Sequence, residues 1–396
     1  MRLKNVLGAT LAALLLCGVP ALLPAKGLAQ QASADVPELA AQGKRIGKLL
    51  NERDRMALLA MIDMPALAER VTAGIQLGAK DKADFVRGFT SPEAGRRMVD
   101  TSMNLLELNH GIAYLVKSRP LGKGSIQTLR IDFRSADDEH GGYEYIDYYV
   151  NEQGRVFDWY LHSRSALISK TMSRLLLSMV EPDQLGTLLF NRKTLELGAL
   201  QAMQDMGRAL NAGKFDAAYA AMQKLPAEFR DSVEGATTMA ALATQLDESR
   251  HRQSLARLAR LHGDKASVQF MLIDHYFYQK DYPRMLAAIA AFEQRVVEDG
   301  ATNYLRCTAQ LEAGQLEAAR KACERSVALE PTVKNGWYGL MTVESTNKDA
   351  ARLLKVLTRY EQQFAMEFDP DKLVEQDFYA WLAGKPEFRA WAAKRR

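Results

Sequence analysis

Apolar residues recur at intervals of three and four from Val36 to Asn109, in "LAAQGKRIGKLLNERD", "PALAERVTAGIQLG" and "SPEAGRRMVDTSMNLLEL", and this spacing predicts helices. After Gly111 the period changes to two. The segments "IAYLVKSR", "SIQTLRIDFR" and "GYEYIDYYV" alternate and are rich in Val, Ile and Tyr, and "NEQG" turns the chain into "RVFDWYLHS". The segment "ALISKTMSRLLLSMV" then returns to helical spacing. Helices followed by three or four antiparallel strands and a further helix predict an α+β domain over residues 36–190, its curved sheet wrapped on helices.

From about Leu195 the pattern is helical throughout and repeats. In "GQLEAARKACERSVALEP" a turn at Gly314 precedes Leu316, Ala319, Cys323 and Ser326, with Pro331 as terminator. "GKFDAAYAAMQKLP" sets Gly213, Phe215, Ala218, Met222 and Pro226 in nearly the same frame, and "KDYPRMLAAIAAF" supplies Tyr282, Met285, Ile289 and Phe292. Phe215 and Tyr282 are 67 residues apart, and Tyr282 and Leu316 are 34 apart. Halving the first interval predicts a further unit near Ser249, where "DESRHRQSLARLARL" is helical, and one more step of 34 reaches Ala350.

At these residues the chain resembles the tetratricopeptide repeat (TPR) family, whose unit is a 34-residue pair of antiparallel helices. Gly314, Leu316, Ala319 and Pro331 stand in the family's positions, Trp337 and Leu340 carry the first helix of the fifth unit, and Tyr276 that of the third. Cys307 and Cys323 replace a small and an aromatic residue, and the second unit departs most from the pattern. The resemblance covers residues 195–365 and implies an all-α superhelical array of about five helix pairs, with residues 366–396 as capping helices. Phe378, Trp381, Leu382, Phe388 and Trp391 are expected to pack that cap on the last unit. In the family the first helices line a concave face that receives extended peptides or partner helices. Carried across, that face comprises Phe270, Asp274, Phe277, Tyr304, Thr308, Tyr338 and Thr342.

A second resemblance is narrower. The α+β pattern is similar to nuclear-transport-factor-like or cystatin-like folds, and Gly154, Val156, Asp158 and Ser165 resemble a segment of periplasmic phospholipid carriers of the MlaC type. That resemblance implies a lipid between sheet and helices, lined by Tyr143, Tyr145, Tyr149 and Trp159; the alternative is that these are ordinary strand aromatics.

The amino terminus adds a compartment. Arg2 and Lys4 precede an apolar run from Val6 to Leu23 broken by Gly18 and Pro20, and Gly27 and Ala29 offer small residues for cleavage. Residues 1–29 are therefore expected to be a secretory signal rather than a membrane anchor, which places the mature chain in the periplasm. Cys17 follows Leu16, too bulky for a lipoprotein signal. Cleavage would remove Arg2, Lys4 and Lys26 and lower the formal charge from +4 to +1, which argues against a nucleic-acid partner. The two cysteines left, Cys307 and Cys323, fall on facing sides of one helix pair, either as a disulfide or as two small buried thiols.

Enzymatic signatures are absent. None of His110, His140, His162, His251, His262 and His275 has a second ligand at metal-binding spacing, and no serine elbow, phosphate loop or dinucleotide fingerprint occurs. Asp132, Asp137, Asp138 and Glu139 beside His140 could hold a cation or form a polar hairpin loop. No cofactor is implied. The sequence therefore points to a non-enzymatic scaffold that binds a protein or peptide in the cell envelope, or alternatively to a carrier of a small apolar ligand or lipid.

Overall fold

The computed structural model describes residues 37–75, 77–133, 142–177 and 197–395. The signal segment 1–29, the loop residues Asp137, Asp138, Glu139 and His140, and the end of "SRLLLSMV" lie outside them. The chain forms two compact units, Met1–His275 and Tyr276–Arg396.

Among the described residues the first unit begins with five helices, α1 (Pro37–Glu52), α2 (Arg55–Met61), α3 (Met64–Thr72), α4 (Ala79–Phe89) and α5 (Pro92–Leu108). Asp54 and Asp63 start α2 and α3 by accepting the N–H groups of Ala57 and Ala66. A meander follows: β1 (Ile112–Leu121), β2 (Gly124–Asp132), β3 (Tyr143–Val150), β4 (Val156–Leu161) and the two-residue β5 (Ala166–Leu167), then α6 (Ile168–Leu177). All five strands pair antiparallel in sequence order. The expected three or four strands are thus joined by a short fifth, after a 3-10 turn at His162–Arg164.

Helices α1, α2, α3 and α5 bury Leu50, Leu58, Leu67 and Met103 against Leu129, Ile131, Ile146 and Trp159 of the sheet. The same unit holds α7 (Leu197–Asn211), α8 (Phe215–Gln223), α9 (Ala227–Arg230), α10 (Val233–Ala243) and α11 (Glu248–His262). Of these, α7 packs on α8 and α10 on α11. Helix α12 (Gln269–Tyr278) contains the division between the units.

The second unit contains α13 (Tyr282–Arg295), α14 (Gly300–Glu312), α15 (Leu316–Leu329), α16 (Lys334–Thr346) and α17 (Ala350–Phe364). Here α14 packs on α15, α15 on α16 and α16 on α17. The second helices of the pairs begin at Phe215, Glu248, Tyr282, Leu316 and Ala350, so successive starts are 33, 34, 34 and 34 residues apart. The turns before them carry a left-handed residue at Gly213, Lys280, Gly314 and Lys348, in the register the repeat demands. Ala218 and Ala319 are fully buried, as close approach of paired helices requires.

Cys307 on α14 and Cys323 on α15 form a disulfide, which resolves the two alternatives left by the sequence. Gly339 of α16 lies against it: a methyl group there would fall inside contact distance of Cys323 Sγ and 3.4 Å from Cys307 Sγ. One turn further on, the buried Glu344 of α16 pairs with Arg320 of α15, Nη2 to Oε2 being 3.2 Å. Helices α18 (Pro370–Glu375) and α19 (Pro386–Ala393) close the unit, burying Leu373, Leu382, Phe388 and Trp391. Phe378, expected in that packing, is instead 45% exposed. It lies between α18 and the 3-10 turn Ala380–Leu382, where its carbonyl accepts the Ser345 hydroxyl at 2.9 Å while its ring stays in solvent.

Candidate functional site

The strands have two different faces. On β3, Glu144, Ile146 and Tyr148 point toward the helices, and Ile146 pairs with Leu161 and Tyr148 with Trp159 across to β4. Between them and Leu50, Leu58, Met98, Val99 and Leu106 of the helices is a cavity of about 60 Å³. Its lining is apolar except for Ser102, Glu144 and Tyr148. Trp159, expected to line a ligand, lines this cavity; Tyr143, Tyr145 and Tyr149, expected beside it, are not in the lining. The two-residue period of the strand carries them to the other face.

Glu144 is 1% exposed. The Ser163 N–H donates to its Oε1 at 3.1 Å and the Ser163 hydroxyl to its Oε2. Burial in apolar surroundings raises its pKa to about 7, although the Ser163 hydrogen bonds, the Arg164 charge and a hydrogen bond from the Tyr145 N–H pull the other way. Burial, together with the Glu144 charge, pushes the Tyr148 phenol well above its usual range. Burial in turn lowers the Arg164 guanidinium to about 10.

The opposite face of the sheet is buried as well, and its groups are consumed structurally. Asp147 accepts from Arg119 Nη2 at 2.8 Å and Thr128 Oγ1 at 2.5 Å, and His162 Nε2 stands 3.3 Å from it. These donors hold its carboxyl below the usual carboxylate range against the opposing effect of burial. Arg130, fully buried, pairs with Asp132 and lies between the rings of Tyr114 and Tyr143, 5.2 and 5.6 Å from their centres. Asp158, the polar residue of the carrier-like motif, takes Arg70 Nε at 2.8 Å and the Ser169 hydroxyl at 2.6 Å. Asp158 and His162 therefore hold β4, α3, α6 and β3 together.

This second face also explains part of the expected partner-binding surface. Tyr145, fully buried, meets the ring of Phe270 edge-on at 5.3 Å. Ser165 donates its hydroxyl to the carbonyl of Ser267, and α10 packs on the 3-10 turn His162–Arg164. Phe270 and Asp274 are consequently 4% and 6% exposed, and Phe270 is covered by the α+β domain of its own chain rather than open to a partner. Burial alone raises the Asp274 carboxyl to about 7.

In the second unit the corresponding positions, 34 and 68 residues further on, are Tyr304 with Thr308 and Tyr338 with Thr342. Tyr304 and Tyr338 are half-buried. Thr308 and Thr342 donate their hydroxyls to the Tyr304 and Tyr338 carbonyls, at 3.1 and 2.8 Å, so the two helices present the same arrangement. Tyr338 also lies 5.9 Å from Tyr360, their hydroxyls 3.3 Å apart. Phe277 is half-buried near the end of α12.

Sequence reasoning passed over Glu144 and the cavity. A lone acid between two tyrosines in "YEYIDYYV" was the available signal. It also passed over an Asp-x-x-Arg step that opens three second helices, Asp247 with Arg250, Asp281 with Arg284 and Asp349 with Arg352, each Asp accepting the N–H of its Arg.

Among the described residues, no group of three or more His, Cys, Asp or Glu is placed to hold a metal, and no helix is long and apolar enough to cross a membrane.

No protein-family model matches the chain, and no curated protein does. Among solved structures, part of the chain is similar to MamA (41-end) from Desulfovibrio magneticus RS-1, at 17% identity and a TM-score of 0.36 over 44% of this chain and 97% of that one. A MamA RS-1 double mutant gives 18% identity over 43% and 96%, again at 0.36. PilW, described as a widely conserved type IV pilus biogenesis factor, gives 12% identity and 0.36 over 50% and 93%. Likenesses at this level carry no argument about fold or function.

Proposed function

We propose that the chain is a non-enzymatic scaffold of the cell envelope, with TPR-type helix pairs that bind a protein or peptide partner. The observation that carries this reading is the 33- or 34-residue spacing of the second helices, paired with Tyr304/Thr308 and Tyr338/Thr342 at equivalent points of successive first helices. Units that repeat in this way stack, so side chains at one repeat position form a row. Half-buried tyrosines in a row supply contact area at small entropic cost, which suits recognition of a peptide or helix. The face thus narrows to Phe277, Tyr304, Tyr338 and Thr342, because Phe270, Asp274 and Thr308 are buried. The experiment is site-specific photocrosslinking in an envelope preparation of the source cell. A crosslinker at Tyr304 or Tyr338 is expected to capture one defined partner, and one at Lys321 or Lys355, exposed on the second helices, to capture none. The Tyr304→Ala/Tyr338→Ala pair should abolish co-purification of that partner with the melting temperature preserved. Equal capture from both helix faces would reject the reading.

The cavity supports a second reading for the α+β domain, that of a ligand site. At about 60 Å³ it suits a small apolar molecule better than a whole phospholipid.

A further inference from the structure

The cavity is chemically one-sided. Apart from Ser102 and Tyr148, its walls are Leu, Ile, Val, Met, Phe and Trp side chains, and its single acidic group is Glu144. Tyr148 contacts Trp159 with a ring separation of 6.4 Å, and Ser102 spends its hydroxyl proton on the Met98 carbonyl at 3.3 Å. Glu144 has both oxygens on Ser163, one donor each. A carboxylate offers about four lone-pair sites, so these two donors and the Tyr145 N–H leave one site open. Among the described residues no Lys, Arg or His makes an ion pair with it, although Arg164 is near enough to act on it. An acceptor of this kind at the wall of an apolar space favours a donor bearing positive charge and repels an anion.

We propose, resting on the reading of the cavity as a ligand site, that it takes a short primary alkylamine. The apolar end is held by Leu50, Val99, Ile146 and Trp159, and the ammonium is held by Glu144. The small size of the cavity, about 60 Å³, calls for a ligand of a few heavy atoms, and propylamine has four. The ammonium takes the lone-pair site of Glu144 that Ser163 and Tyr145 leave open, and charge-assisted pairing is about twice as strong as pairing between neutral groups. An alcohol of the same length gains the apolar contacts without the charge, and the matching carboxylate is excluded by Glu144.

The groups that act on Glu144 from the packed elements are Arg164 of the 3-10 turn and Tyr148 of its own strand. Arg164 changes charge only near 10 and Tyr148 higher still, so neither titrates between pH 5.5 and 8. His162 of the same turn faces Asp147 on the other side of the sheet.

The test titrates the full chain with propylamine, 1-propanol and propionate at pH 8, with binding read by ligand-observed NMR. Propylamine is expected to bind at least about tenfold more tightly than 1-propanol, and propionate not to bind. Glu144→Gln should equalise amine and alcohol, with retained 1-propanol binding showing that the cavity is intact. Val99→Phe, which fills the cavity, should abolish both. Should Glu144→Gln fail to fold, the wild-type chain still decides, because propylamine affinity must rise about tenfold from pH 5.5 to 8 as Glu144 acquires its charge. A flat pH profile, an amine preference that survives Glu144→Gln, or competition by propionate would overturn the proposal while leaving a ligand site. No binding of any probe to a normally melting wild-type chain would remove the ligand site as well.

Discussion

At Gly339 one hydrogen atom decides the packing of three helices. The side chain that faces it, Cys323 Sγ, cannot rotate away because it is bonded to Cys307. A methyl group at 339 must therefore push α16 off the α14–α15 pair, and overpacking of this kind costs about 1–3 kcal/mol. Gly339→Ala is expected to lower the stability of the second unit by that amount in chemical denaturation. In a Cys307→Ala/Cys323→Ala background both sulfurs are gone, so the same substitution should cost less than half as much. An unchanged penalty there would mean that the obstruction is not the sulfur. The disulfide itself closes a loop of 16 residues, worth about 3 kcal/mol in the chain-entropy account, so the double alanine variant starts from a lower baseline.

The helix pairs depend on a turn geometry that recurs with the repeat. Gly314 has φ +74° and Gly213 φ +67°, while Lys280 and Lys348 adopt φ +56° in the same slot. Only glycine enters this region without strain, and a Cβ costs about 1–2 kcal/mol there. Gly314→Ala is thus expected to destabilise the second unit by about 1 kcal/mol, with no loss of helix content by circular dichroism. No change at all would show that the turn tolerates a Cβ as it does at Lys280. This slot also shows how far the sequence could be read. The 34-residue step was visible in Phe215, Tyr282, Leu316 and Ala350, because apolar periodicity and helix starts depend on local geometry, and each of these residues does begin a helix. The unit at Glu248 was harder to see because its first helix departs from the motif, yet Asp247 caps it just as Asp281 and Asp349 cap theirs. The face of β3 was not legible. Alternation assigns sides when one side is polar, but in "YEYIDYYV" both sides are buried and carry aromatic rings. Which side holds the cavity depends on α5 lying on one face and on Phe270 and α10 covering the other, contacts distant in sequence.

Across the whole chain, the two units should answer pH differently, because their shifted groups titrate in different ranges. In the first unit Glu144 rises from 4.5 to about 7 and Asp274 from 3.8 to about 7, both mainly through burial. A carboxyl with a raised folded pKa keeps its proton in the folded state after the unfolded chain has released it. Its folded form is therefore relatively less stable at each step up in pH, from about the unfolded value to about 7, and the loss is complete above that. His251, lowered from 6.5 to about 4 by burial, works in the opposite direction: the unfolded chain gains a proton below 6.5 that the folded chain refuses. Two acids against one imidazole leave a net loss of stability between pH 5 and 7.5, on the order of 2–3 kcal/mol given about 1.4 kcal/mol per pKa unit. Among its described residues the second unit has no such groups: its moved carboxyls, Glu298 and Glu317, are lowered, and Tyr282, Tyr304, Arg320 and Tyr379 are raised, all outside that window. Calorimetry from pH 5 to 7.5 should accordingly show one transition moving down with rising pH and another holding still. Glu144→Gln with Asp274→Asn should reverse the first trend, since His251 then acts alone, and a wild-type profile with both transitions static would show that neither carboxyl is as dry as its burial implies.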